Sequence, residues 1–170
     1  MDLSKFIRNI EHFPKPGVSF KDITPLLANS SAMEDCARQL LALIGDQKID
    51  KVAAIESRGF FFGTLLAQKL NVGFVPIRKP GKLPYKTLKE PYELEYGMDA
   101  LEIHEDAIKK GDRVLLHDDV LATGGTALAA CNLIENLGGV MVQCNFILEI
   151  EFLNGIKKLR GRSVESLLKY

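Results

Sequence analysis

Residues 113–130 read RVLLHDDVLATGGTALAA, and the reading of the whole chain turns on them. Arg113 to Asp118 is an apolar run without alternation that ends in an acid, the pattern of a strand buried on both faces. Thr123-Gly124-Gly125-Thr126 follows the adjacent acids Asp118 and Asp119. Ala127, Ala130, Ile134 and Leu137 then fall at helical spacing, closed by Gly138-Gly139. Glycine tolerates positive φ, so backbone N–H groups can turn toward a ligand. A helix N-terminus adds partial positive charge, and Thr123 and Thr126 add hydroxyl donors. Ala122 to Thr126 therefore reads as a phosphate cradle. No Gly-Lys-Ser/Thr follows the glycines, so it is not a Walker A loop, and it is not a GxGxxG dinucleotide turn.

Two carboxylates beside an anion site need a reason, because they repel a phosphate at close range. They make sense if they face another part of the same ligand. A ribose diol is one option, since vicinal hydroxyls donate to carboxylates. A magnesium ion, direct or through water, is another. A phosphorylated ribose satisfies both halves of the stretch.

Moving outward, three more strand-like runs appear: KVAAI (51–55), VGFVPI (72–77) and VMVQCNFILEI (140–150). FGTLLAQKL (62–70) links the first two as a helix. Met33, Ala37, Leu40, Leu41 and Ile44 share one helical face, with Ser31 and Glu34 spaced for a capping box and Gly45 placed to end the helix. Alternating strands and helices imply an α/β fold with a mainly parallel sheet, whose ligands bind at the carboxyl ends of the strands. Residues 79–97, rich in proline, tyrosine and lysine, form the least regular region, and long loops are often functional.

Composition narrows the classes. The chain has 170 residues, enough for one domain with its own core, and 46% are hydrophobic, which argues against disorder. Lysine plus arginine equals aspartate plus glutamate at 22 each. That balance argues against nucleic-acid or membrane binding by bulk charge, so any anion recognition is local. Cys36, Cys131 and Cys144 have no metal-knuckle spacing and read as buried free thiols of a reducing compartment. The N-terminus lacks the apolar core of a signal peptide and no run reaches membrane-span length, so a cytoplasmic protein is expected.

The 114–126 run resembles the phosphoribosyl-pyrophosphate (PRPP) motif of the type I phosphoribosyltransferases, which join PRPP to a nitrogenous base and release pyrophosphate. The resemblance implies that fold: a mainly parallel sheet flanked by helices, with a small N-terminal hood over the active site. It implies the 5-phosphate in Ala122, Thr123, Gly124, Gly125 and Thr126, and ribose and magnesium at Asp118 and Asp119. FPKPGVSFKDITPLL (13–27) carries two prolines and a glycine that limit its accessible states. It resembles the N-terminal signature of the adenine phosphoribosyltransferase family. There the base stacks on the residue matching Phe20, and backbone near Ser19 and Lys21 reads its edge, with Val18 beside them and Val120 on the opposite face. Ser19 and Lys21 depart from the aliphatic and arginine often found in that family.

AAIESRGFFFG (53–63) is similar to the family's pyrophosphate loop. The similarity implies contacts from Glu56, Ser57 and Arg58 and a cis peptide between Glu56 and Ser57. IRKPGKLPYKTLK (77–89) carries five cations and no acid. That excess suits a leaving pyrophosphate, and the family pattern selects Arg78, Lys79 and Lys82. Glu95-Tyr96-Gly97 matches the family's loop motif, which makes Glu95 the general acid/base and Tyr96 a lid residue. His117 reads as packing. A single domain is expected, with residues 1–30 as base-binding arm and 79–97 as mobile catalytic loop. The resemblance also implies a homodimer. Two rivals remain: transfer to another purine such as xanthine or hypoxanthine, and a non-catalytic PRPP or purine sensor. The arm argues against the first. The dozen residues before Phe13, too few for a helix-turn-helix, argue against the second.

Overall fold

The computed structural model describes residues 1–93 and 97–170. It divides into two compact units, Met1–Gln39 and Leu40–Tyr170. The first holds an antiparallel hairpin, β1 (Arg8–Glu11) and β2 (Ser19–Asp22), then the short helix α1 (Thr24–Leu27) and most of α2 (Ser30–Ile44). The predicted extended arm is thus the return half of a hairpin. Its proline-rich tip is turned by His12 at φ 60° and Gly17 at φ 86°, and Phe13–Pro14 is cis. The predicted capping box does not start α2. Asn29 caps it instead, its Oδ1 accepting from Ala32 N at 2.9 Å, because the helix begins before Ser31. The buried stripe is Ala32, Cys36, Ala37, Leu40 and Ile44, with Met33 only half-buried. Gly45, at φ 61°, follows the helix as expected.

The second unit is built on five parallel strands in the order β4-β3-β7-β8-β9. These are β3 (Lys51–Ile55), β4 (Gly73–Ile77), β7 (Arg113–Leu121), β8 (Val140–Glu149) and β9 (Val164–Lys169). The all-parallel ladder explains the unbroken apolar runs, because helices cover the sheet: α3 (Gly59–Leu70) and α4 (Gly125–Asn136). Helix α3 begins three residues before the predicted start. Strand β7 outlasts its predicted end and pairs with β8 as far as Leu121 opposite Glu149. Asp119 and Val120 therefore stand inside the strand with Asp118, near its carboxyl end, rather than beyond it.

Residues 79–97 are less irregular than their composition suggests. The first strand of a second hairpin, β5 (Thr87–Glu93), takes up seven of them and pairs with β6 (Met98–His104), which follows. Pro91 obscures β5, yet its partner β6 alternates and buries Ala100, Leu101 and Ile103. The three cysteines are free and buried. Burial pushes the Cys36 thiol up to about 12. The Cys131 and Cys144 sulfurs meet at 3.5 Å between α4 and β8.

Candidate active site

The turn from β7 into α4 is held by steric contact. Gly124 has φ 78°, a region that L side chains rarely adopt. A Cβ there would lie 2.3 Å from the carbonyl oxygen of Gly155, and a Cβ on Gly155 would lie 2.2 Å from the oxygen of Ala122. The 3-10 turn Gly155–Leu159 thus presses on the back of the loop and fixes its shape. Leu128 N bonds Gly124 O at 2.9 Å, so the first turn of α4 closes on the loop itself. Gly124 and Gly125 are buried, Ala122 and Thr126 half-buried, and Thr123 is exposed. The result is a preformed ring of backbone donors at a helix N-terminus, the arrangement that holds phosphate.

The acids end the same strand. Asp119 is 4% exposed, and its Oδ2 lies 2.7 Å from Arg58 Nε. That oxygen has no aligned hydrogen-bond donor among the described residues. Burial raises both carboxyls. Asp118 is raised well above the usual range by burial and then by Asp119, while the Arg58 guanidinium restrains the rise of Asp119. A Cβ on Gly59 would sit 2.8 Å from Asp118 Oδ1, so glycine is required for α3 to start this close to the acids. Two adjacent carboxylates, one with an oxygen that lacks an aligned donor, suit a cation or hydroxyl donors. Among the described residues no cluster of three or more metal-binding side chains exists. They fit a magnesium ion that takes most of its oxygens from substrate and water, the usual habit of that ion.

The cationic side is organised around one buried carboxylate. Glu56, its side chain 4% exposed, accepts from Arg78 Nε at 2.6 Å, Lys82 Nζ at 2.9 Å and Lys79 N at 3.1 Å. Burial alone would raise its pKa, but the bonds from Lys82 and Arg78 outweigh it and hold Glu56 ionised. The peptide from Glu56 to Ser57 is cis, as the pyrophosphate-loop similarity implies. The Lys79 side chain turns elsewhere, to Asp99 Oδ2 at 2.9 Å.

An anion loop, an acid pair and a cation cluster thus meet at the carboxyl ends of β3, β4 and β7. The family model of the phosphoribosyl transferase domain matches residues 22–149. The adenine phosphoribosyltransferase of Christiangramia forsetii is 63% identical over 170 residues, all of this chain and 99% of the relative. The chain belongs to the adenine phosphoribosyltransferase family. The crystal structure of the family member from Thermoanaerobacter pseudethanolicus superposes with a TM-score of 0.97 at 50% identity, covering 99% of this chain and 98% of that one. The Saccharomyces cerevisiae enzyme, complexed with an imino-altritol bisphosphate and adenine, superposes at 0.92 with 41% identity, covering 98% and 97%.

The residues expected to read a base, Val18 to Lys21, lie in the hairpin of the first unit. Phe20 is half-buried, and Phe13 stands edge-on to it, the ring centroids 5.2 Å apart. Ser19 Oγ and Lys21 Nζ both donate to Asn9 Oδ1, at 2.6 and 2.8 Å. Their side chains are engaged within the hairpin, which favours readout through the backbone at these two departures from the family pattern. Val18 is exposed, and Val120 lies half-buried in β7. Glu95 and Tyr96, expected as acid/base and lid residue, lie outside the described residues.

His117 is fully buried. Its Nδ1 meets Asn145 Oδ1 at 2.8 Å, and burial lowers its pKa to about 4, so it is neutral. The sequence reading missed Gly59, Gly155, Asp99 and Tyr92. A glycine in a helical pattern just after a strand signals the first, and the second stands in the LNGIKKL turn. Asp99 and Tyr92 become legible only once β5 and β6 are paired.

Proposed function

We infer that the chain transfers the phosphoribosyl group of PRPP to adenine, forming AMP and pyrophosphate in purine salvage. The observation that carries this reading is the Gly124–Gly155 lock. It builds a rigid 5-phosphate loop, Ala122–Thr126, one strand-end away from an acid pair and a cation cluster. In this reading Asp118 and Asp119 hold the ribose hydroxyls and favour positive charge at the anomeric carbon. That carbon passes through an oxocarbenium-like state as its bond to pyrophosphate oxygen breaks and its bond to the adenine nitrogen forms. Ser57, Arg58, Arg78, Lys79 and Lys82 meet the leaving pyrophosphate. Glu56 orients two of those cations rather than touching the anion itself.

The adenine imidazole ring loses a proton, and Glu95 takes or relays it, with Tyr96 helping to close the 79–97 loop over the site and exclude water. Val18, Ser19, Phe20, Lys21 and Val120 bind the base. Asp118 and Asp119 would hold magnesium through water, with most of its oxygens coming from substrate, and the ion would supply charge neutralisation for the leaving group. The same reading treats residues 1–170 as one catalytic domain with residues 1–30 as its arm, acting as a cytoplasmic homodimer. No described helix is long and apolar enough to cross a membrane.

Glu95→Gln tests the catalytic assignment. Turnover is expected to fall by about 100-fold or more with PRPP affinity nearly unchanged, the range for loss of a general acid/base. Unchanged turnover sinks the role of Glu95.

A further inference from the structure

The two anion-binding regions are joined by side chains of the β5–β6 hairpin. Glu56 already engages Arg78, Lys82 and the Lys79 backbone, and the Lys79 ammonium goes instead to Asp99 Oδ2 at 2.9 Å. The Tyr92 hydroxyl donates to the same oxygen at 3.2 Å. Tyr92 and Asp99 are direct cross-strand partners, one pair short of the end of the ladder, and Glu95 lies between them in the chain.

The other side of Tyr92 faces the phosphate loop. A Cβ on Gly125 would lie 3.7 Å from Tyr92 Cδ2 and 3.2 Å from Glu93 O. Asn132 of α4 donates to Glu90 of β5 at 2.8 Å and pins the hairpin along the helix. Tyr92 is 9% exposed, so its bond to Asp99 is sheltered at the tyrosine end, while the Lys79 side chain on the far side of Asp99 is 54% exposed and open to an incoming anion.

We propose that Tyr92 and Asp99 are positioning residues, a strut that couples occupancy of the 5-phosphate loop to occupancy of the pyrophosphate position. A pyrophosphate oxygen reaching Lys79 competes with Asp99. Release of that lysine leaves Tyr92 as the remaining donor to Asp99 Oδ2. A phosphate in the loop bears on the Gly125 backbone, against which Tyr92 and Glu93 lie, and acts on the same pair from the other side. The end of the β5–β6 ladder is thereby set by both ends of one substrate. This rests on reading Lys79 as a pyrophosphate contact and Ala122–Thr126 as the 5-phosphate loop.

Calorimetric titration of the full chain with magnesium pyrophosphate, with and without saturating ribose 5-phosphate, tests the strut in the wild type, Tyr92→Phe and Asp99→Asn. In the wild type, ribose 5-phosphate is expected to change pyrophosphate affinity by about 5-fold or more, the range of ordinary site coupling. Both variants should still bind each ligand alone but bring the ratio to within about 2-fold of one. A wild-type ratio of one, or the same ratio in all three proteins, overturns the strut. An unchanged ratio with a lower unfolding midpoint would assign the pair to fold stability alone. Failure of the wild type to bind either ligand would overturn the underlying site reading as well.

Discussion

On the proposed function, the loop after β7 and the cation cluster beside β3 and β4 hold the two anionic ends of PRPP, the 5-phosphate and the pyrophosphate, by different means. The loop uses backbone. Its glycines are wedged against Gly155, its donors are N–H groups, and its geometry is present before a ligand arrives. The pyrophosphate side uses side chains. Arg58 is paired with Asp119, Arg78 and Lys82 with Glu56, and Lys79 with Asp99. Those partners hold the cations in advance: Glu56 orients Arg78 and Lys82, and the Lys79 pair with Asp99 is the one an incoming anion exchanges. A rigid pocket suits the end of PRPP that stays on the product, and an exchangeable one suits the end that leaves. The difference also bears on stability, because internal partners spare the cations from standing unpaired.

The sharpest way to break this contrast is Gly124→Ala. The new Cβ would meet Gly155 O at 2.3 Å at a positive φ, and backbone cannot yield cheaply. Turnover should drop by about 100-fold or more, as expected when a positioning element shifts by about an ångström. Steady-state rates and ribose 5-phosphate titration check this, and near-normal values would mean that the loop is not preformed. Glu56→Gln probes the other region. It keeps the shape but removes the charge that Arg78 and Lys82 share. Pyrophosphate affinity should fall about 10-fold and ribose 5-phosphate affinity should stay within about 2-fold, the scale of one charge-assisted bond pair. Equal losses for both ligands would erase the distinction.

His117 gives the smallest effect at neutral pH, because it is buried against Asn145 and Phe62 and titrates out of range. Its folded pKa of about 4 is below the ordinary 6.5. As pH falls through 6.5 the unfolded chain takes up this proton first, so stability is lost between about pH 6.5 and 4 and is level below that. Asp118, raised in the fold, works in the opposite direction, favouring the fold at low pH, and does so in wild type and variant alike. Between pH 7 and 4.5, His117→Gln should therefore lose about 2–3 kcal/mol less than the wild type in denaturant melts. Parallel losses would mean that His117 is charged in the fold.

Much of this arrangement was legible in the residues. The parallel sheet showed as unbroken apolar runs, and the phosphate loop as glycines between a strand and a helical pattern. Local chemistry states such features directly. The hairpin β5–β6 was not legible, because Pro91 and a run of lysines imitate a loop and only the pairing with β6 reveals a strand. The counter-ions were hidden for a related reason. Glu56 and Arg78 are 22 residues apart, and nothing in either segment says that they meet. Even so, the acid-free run 77–89 contains Arg78, Lys79 and Lys82, though nothing in it says that these three have carboxylate partners waiting.

The most direct test of the central claim is nucleotide formation by the purified chain with PRPP, magnesium and each purine base supplied separately. The account predicts AMP from adenine and no comparable product from hypoxanthine, guanine or xanthine. Product from another base in place of adenine, or PRPP binding without any product, would contradict it.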